Sequence, residues 1–277
     1  MRPRARLSRR VRPAIVLAMV SVLTVGGCSS GRGRISASAS RLPAPQQPAS
    51  PIPVGATCLN TQERAGAVHF ASRSGAELAG VVLGSGHAGV VMAHGPHGDV
   101  CELLPYARVL VGLGYRVLAF DFNGYGASGT GPEYPARGHL DLDVAAAAAE
   151  LRAKGVDKVV LLGSEFGGLG ALIAAADVRP PVAGIVDLSG PNQLAGMDGL
   201  AAAARLTAPA LFVVSARDPW VDEVRAAYAA ASHAERRLEV TPADGMHALN
   251  MVDPHMDPYA AYVRTLIEDF VRQHATA

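Results

Sequence analysis

The chain has 277 residues, 49% of them hydrophobic and 18% charged, and a formal charge of +1. Six arginines and no acidic residue fall within the first 27 positions, so the remainder carries about −5. That balance leaves no basic stripe for nucleic acid, and a chain of this length suits one domain rather than several.

Arg2, Arg4, Arg6, Arg9, Arg10 and Arg12 lead into an apolar run from Ala14 to Val25, too short to span a bilayer comfortably. The run ends in Leu23-Thr24-Val25-Gly26-Gly27-Cys28-Ser29. This resembles a bacterial lipobox, in which small residues precede a cysteine that is lipidated and becomes the new N-terminus. Residues 1–27 then read as a signal peptide, and Cys28 as a lipid anchor holding an exported protein to the bilayer. An ordinary signal peptide or an uncleaved anchor is the alternative. Residues 28–54 are rich in Ser, Ala, Pro, Gly and Gln. Such a segment cannot bury apolar surface and is expected to be a disordered tether reaching ~30 Å. The domain is expected over residues 55–277. With Cys28 lipidated, Cys58 and Cys101 are left as a pair. An oxidising compartment makes a disulfide the expectation, two buried free thiols the alternative.

Within the domain, Ala67 to Ser72 and Leu78 to Leu83 read as strands around the turn Ser74-Gly75-Ala76. Gly89 to Ala93 is a buried strand ending at His94-Gly95. Glu102 to Leu113 has helical spacing and stops at Gly114. Arg116 to Phe120 is the next strand, and Leu140 to Lys154 an Ala-rich helix ending at Gly155. Lys158 to Leu162 is a strand, followed by a small-residue helix from Leu169 to Ala176. Val182 to Leu188, Ala210 to Val214 and Arg237 to Val240 read as strands. Gly199 to Leu206 and Val221 to Ala231 read as helices, and Tyr259 to Gln273 closes the chain. Apolar strands alternating with helices predict an α/β protein: a mostly parallel, doubly wound sheet with helices on both faces. The two early strands form its antiparallel edge. Sites in such sheets gather at the carboxyl ends of the strands, where His94, Asp121, Glu165, Asp218 and His247 all fall.

The segment Gly163-Ser164-Glu165-Phe166-Gly167-Gly168 has the Gly-x-nucleophile-x-Gly spacing of a strand–turn–helix elbow. Small residues are needed two before and two after a strained apex. Gly163 and Gly167 therefore make Glu165 the apex. Placing Ser164 there would put Leu162 and Phe166 at the crowded positions, and that register is rejected.

Taken in order, His94-Gly95, Asp121-x-x-Gly-x-Gly-x-Ser128, the elbow at Glu165, Asp218 and His247 resemble the α/β-hydrolase superfamily, in particular its small cap-less serine hydrolases (dienelactone-hydrolase-like and S33-like). The resemblance covers residue 55 to the C-terminus. It implies the α/β-hydrolase fold without a large cap, hydrolysis of ester or acyl bonds in the relatives, Asp218 as the acid and His247 as the base. Asp187 is a lesser alternative acid. The sequence departs from the family twice. Glu165 stands where the nucleophile serine belongs. The family's oxyanion hole uses the amide after the nucleophile, here Phe166, and an amide following Gly95, where Pro96 has no N–H; His97 supplies one only if the loop shifts. A Glu165–His247 ion pair over a helix N-terminus is expected. Haloalkane dehalogenases and epoxide hydrolases use an aspartate at the elbow, but glutamate is one methylene longer, and the stretch from Leu188 to Pro209 holds one short helix instead of their cap. These departures favour a binding or scaffold protein, with an ester-like or other small-molecule ligand. The alternative is a hydrolase using the Glu165 carboxylate or a His247-activated water. No cofactor is implied, and His94 and His97 lack a third metal ligand at usable spacing.

Overall fold

The computed structural model describes residues 53–132, 139–242 and 244–276. The expected signal peptide, the expected lipidation site Cys28 and the expected tether up to residue 52 lie outside them. Val54, read from composition as the last tether residue, is buried with Leu59 in the apolar cluster that holds Leu103, Leu104 and Leu110.

The elements in chain order are α1 (Thr61–Arg64), β1 (Ala67–Ala71), β2 (Glu77–Leu83), β3 (Ala88–Ala93), α2 (Val100–Gly112), β4 (Arg116–Phe120), α3 (Leu140–Ala153), β5 (Lys158–Ser164), α4 (Phe166–Asp177), β6 (Gly184–Leu188), β7 (Gln193–Leu194), β8 (Met197–Asp198), α5 (Gly199–Ala203), β9 (Ala210–Ser215), α6 (Val221–Ala230), β10 (Arg236–Thr241) and α7 (Ala260–His274). A 3₁₀ turn, Ala248–Val252, precedes α7. Eight strands form one sheet in the order β1-β2-β4-β3-β5-β6-β9-β10. Strand β2 is antiparallel to both β1 and β4, and the strands from β4 to β10 are parallel.

The central strands β3, β5, β6 and β9 are buried along nearly their whole length. That is why they read as unbroken apolar runs instead of alternating ones. Helices α2 and α7 cover one face, burying Leu103, Leu104, Val263 and Ile267 against Val90, Met92, Leu162 and Val186. Helices α3, α4, α5 and α6 cover the other, against Val91, Leu161, Ile185 and Phe212. Helix α4 consists largely of Gly, Ala and Leu because it runs between the sheet and α3. A Cβ on Gly170 would lie 2.9 Å from the Leu140 Cβ.

Two of the boundaries that differ from the sequence reading concern the elbow. Strand β5 continues through Gly163 and Ser164, and α4 begins directly after Glu165, with no loop between. The stretch from Leu188 to Pro209 holds the short helix α5 and also the two-residue hairpin β7–β8. Among the described residues there is no cap domain on the sheet. No helix among them is long and apolar enough to cross a membrane.

Candidate functional site

Glu165 has φ 52° and ψ −115°. A non-glycine residue at positive φ is strained by about 1–3 kcal/mol and persists only where its surroundings enforce it. Here the enforcement is visible. The Glu165 N–H donates to Leu188 O at 2.9 Å, and its carbonyl accepts from Gly168 and Leu169 to start α4. A side chain on Gly163 would collide with the Gly167 carbonyl, and one on Gly167 with the Ala93 carbonyl. Both glycines are therefore required by close backbone approach. Ser164, the rejected apex, is fully buried and its Oγ accepts from Leu249 N–H at 3.1 Å.

His247 follows β10, and its Nε2 lies 3.5 Å from Glu165 Oε2. Its Nδ1–H donates to Asp218 Oδ2 at 2.8 Å. Asp218 also accepts from Ser189 Oγ at 2.7 Å and from Trp220 N–H at 2.8 Å. Burial pushes the Asp218 carboxyl up, but the hydrogen bonds from His247, Ser189 and Trp220 bring it below its ordinary value. The hydrogen bond to Asp218 raises His247 above the usual histidine range, with burial opposing and the charges of Asp218 and Glu165 adding. The site thus holds an imidazole ring between two carboxylates, fixed in one tautomer.

Sequence reasoning missed two residues at this site. Ser189 has φ 58°; its Oγ donates to Asp218 and accepts from Ala248 N–H at 3.1 Å, tying the acid to the histidine segment. Its only sequence signal is its place at the end of β6. Glu102, in the first turn of α2, sets its carboxylate against the loop at Gly98, where the nearby Gly95 amide favours its charged form. Desolvation raises its carboxyl above the ordinary range, and the Glu165 charge adds to the rise.

The loop after β3 is a tight turn in which Gly98 N–H donates to Gly95 O at 3.2 Å. Pro96 takes the turn position that proline favours. A Cβ on Gly95 would stand 3.2 Å from Glu165 Oε2, so the Glu165 carboxylate sits against this loop. His97 is exposed at the turn's tip. The Phe166 N–H, at the start of α4, has no acceptor among the described residues. One potential oxyanion donor is therefore present, while Pro96 has none to give.

His94 is fully buried, with Nδ1–H donating to Gly95 O at 2.6 Å and Nε2 accepting from Phe122 N–H at 3.2 Å. Burial lowers it to about 4, so it is neutral and holds the loop. Asp121 accepts from Val100 N–H and Ala127 N–H, joining the start of α2 to the loop after β4. Among the described residues no cluster of three or more His, Cys, Asp or Glu could hold a metal ion. Cys58 and Cys101 form a disulfide between the segment before α1 and the first turn of α2.

Asp187 hydrogen-bonds not to His247 but to Gly190 N–H, at 2.9 Å. Burial pushes its carboxyl up to about 7, against the Gly190 hydrogen bond and with help from the Asp218 charge. The protonated form is the one the fold favours. Stability is therefore fully present below the unfolded value of 3.8 and is lost as pH rises through about 7. The loss is of the order of 4 kcal/mol. The expected result is that the melting temperature of Asp187→Asn falls less steeply between pH 5 and pH 8 than that of the wild type. Equal slopes in differential scanning calorimetry would contradict this account.

A family model described as the alpha/beta hydrolase fold matches residues 87–199. No curated protein sequence matches the chain. Among solved structures, the chain resembles the Pyrococcus furiosus esterase Pf2001 with a TM-score of 0.65 and 20% identity, covering 75% of this chain and 90% of that one. It resembles Est1E from Butyrivibrio proteoclasticus, solved with ferulic acid bound, with a TM-score of 0.63 and 16% identity, covering 75% and 99% of the two chains. A thermophilic esterase from Thermogutta terrifontis gives 0.60 and 19%, covering 76% and 99%. Likeness at these identities concerns the fold. The chain has the α/β-hydrolase fold.

Proposed function

We propose that this protein is an exported lipoprotein, anchored to the cell membrane through Cys28, whose hydrolase-like domain serves in binding or scaffolding instead of serine-hydrolase catalysis. The observation that carries the reading is the Glu165 carboxylate itself. It occupies the elbow apex, 3.5 Å from His247 Nε2 and against the Gly95 loop. A serine hydrolase needs a hydroxyl there that loses its proton to the histidine, and two amides facing the developing oxyanion. Glutamate has no such hydroxyl, and Pro96 removes one amide. A hollow of about 350 Å³ beside the site, lined in part by Glu102, Tyr106, Leu249, His255 and Arg264, offers room for a small molecule. The Tyr106 hydroxyl is buried there without a partner among the described residues.

A second reading is favoured by the intact Asp218–His247 pair: hydrolysis through a Glu165 carboxylate nucleophile or a water activated by His247. The two readings separate by intact-mass analysis after incubation with haloalkane, epoxide and p-nitrophenyl ester substrates. The binding reading expects neither turnover nor a mass increase. An adduct mapped to Glu165, or turnover without one, would replace it with the corresponding form of the second reading.

A further inference from the structure

Strand β10 is the last strand of the sheet and pairs only with β9. Alternate residues of a parallel strand turn their backbone groups to the same side. Glu235 O accepts from Ala210 N–H and Thr241 O from Ala216 N–H, so the odd-numbered residues of β10 face β9. Arg236, Leu238 and Val240 therefore turn their N–H and C=O groups outward. Among the described residues no hydrogen bond reaches those groups. The side chains alternate as well. Arg237 and Glu239 share one face of the strand and pair with each other at 3.3 Å. Tyr262, exposed on α7, lies beside them. On the other face Leu238 and Val240 are half-buried against the α6 side of the core, and the Arg236 guanidinium stands 5.6 Å from the Tyr228 ring.

We infer that the β10 edge is a docking surface for a second copy of this chain, paired antiparallel about a two-fold axis at Leu238. Such an interface must be self-complementary, because the same patch serves on both sides. With the axis at Leu238, Arg236 of one copy meets Val240 of the other and Leu238 meets Leu238. All three outward-facing residues are then hydrogen-bonded. The same register sets Arg237 of each copy directly opposite Glu239 of the other, two opposite-charge cross-strand pairs. Moving the axis by one residue sets Arg237 opposite Arg237, or Glu239 opposite Glu239, and engages fewer outward groups. Charges on an edge strand ordinarily discourage pairing, but opposite charges two residues apart repel every neighbouring register and favour this one. The second copy would also cover the exposed parts of Leu238 and Val240, and join the two eight-stranded sheets into one. The other edge, β1, reads Ala-Val-His-Phe-Ala and has no acid, lysine or arginine to select a register.

The test is sedimentation equilibrium of the full chain in a density-matched detergent, with folding followed by circular dichroism. Wild type is expected at twice the monomer mass. Arg237→Glu and Glu239→Arg each set like charges opposite one another at both cross-strand positions, and each is expected to weaken self-association by about tenfold or more. Mixing these two variants places Glu opposite Arg at both positions, so a heterodimer is expected to form with wild-type strength. The double variant Arg237→Glu/Glu239→Arg reverses the pairs without losing them and is expected to dimerise alone. A wild type that stays monomeric would overturn the inference. So would a dimer that neither single variant weakens, or single variants whose association is restored neither by mixing nor by the double reversal.

Discussion

Glu165→Ser is expected to turn a protein silent toward p-nitrophenyl acetate and butyrate into a weak esterase. The backbone is already in the conformation a nucleophile requires, with φ 52° at the apex and a glycine two residues away on either side. His247 Nε2 faces the apex, and Asp218 holds the other ring nitrogen at 2.8 Å. A serine hydroxyl would therefore meet a base in the right tautomer. The gain remains small because the oxyanion hole is incomplete, and the loss of one donor costs ~100- to 1,000-fold. Adding Pro96→Gly restores an N–H at that position and is expected to raise the rate of the serine variant by about 100-fold. The check is steady-state hydrolysis by the soluble domain, with folding followed by circular dichroism. A folded Glu165→Ser variant as inert as wild type, with and without Pro96→Gly, would mean that more than the nucleophile and one amide has been lost.

The Cys58→Ala/Cys101→Ala double variant is expected to lose about 4 kcal/mol of stability through the chain entropy released in the unfolded state. The bond closes a long loop, with 43 residues of sequence separation. It also pins Val54 and Leu59 into the α2 face of the core, where both are buried. For a domain of this size the melting temperature should fall by roughly 10 °C. Calorimetry of oxidised wild type against the double variant reads this directly. A shift near zero would mean that the N-terminal segment is held by its noncovalent contacts alone. Glu63 and Arg108 form a bidentate pair at 2.7 and 2.8 Å that also ties α1 to α2.

The sheet and its helices were legible because buried parallel strands are continuous apolar runs, and Lys158 to Ser164 and Ala210 to Ser215 are of that kind. The elbow was legible from glycine spacing, because two backbone contacts at Gly163 and Gly167 exclude any side chain. What escaped were features decided by tertiary contact. The apex conformation lets strand pass into helix without a loop, and no local propensity reports that. Helix α1 and the hairpin β7–β8 are too short for periodicity to register. Glu102 looks like an ordinary acidic residue in the first turn of a helix, and only the folded loop brings the Gly95 amide to it. Ser189 resembles any serine after a strand until Asp218 and Ala248 are seen to share its hydroxyl. Asp187 was a reasonable second acid by position, yet its carboxyl accepts from Gly190 N–H while the histidine pairs with Asp218.

The most direct measurement of the central claim is hydrolysis of p-nitrophenyl acetate and butyrate by the wild-type domain beside His247→Ala. The account predicts that both proceed at the rate of buffer alone, because a base with neither nucleophile nor complete oxyanion hole has nothing to activate. Wild-type turnover that disappears in His247→Ala would contradict it and would establish an enzyme working through Glu165 or water.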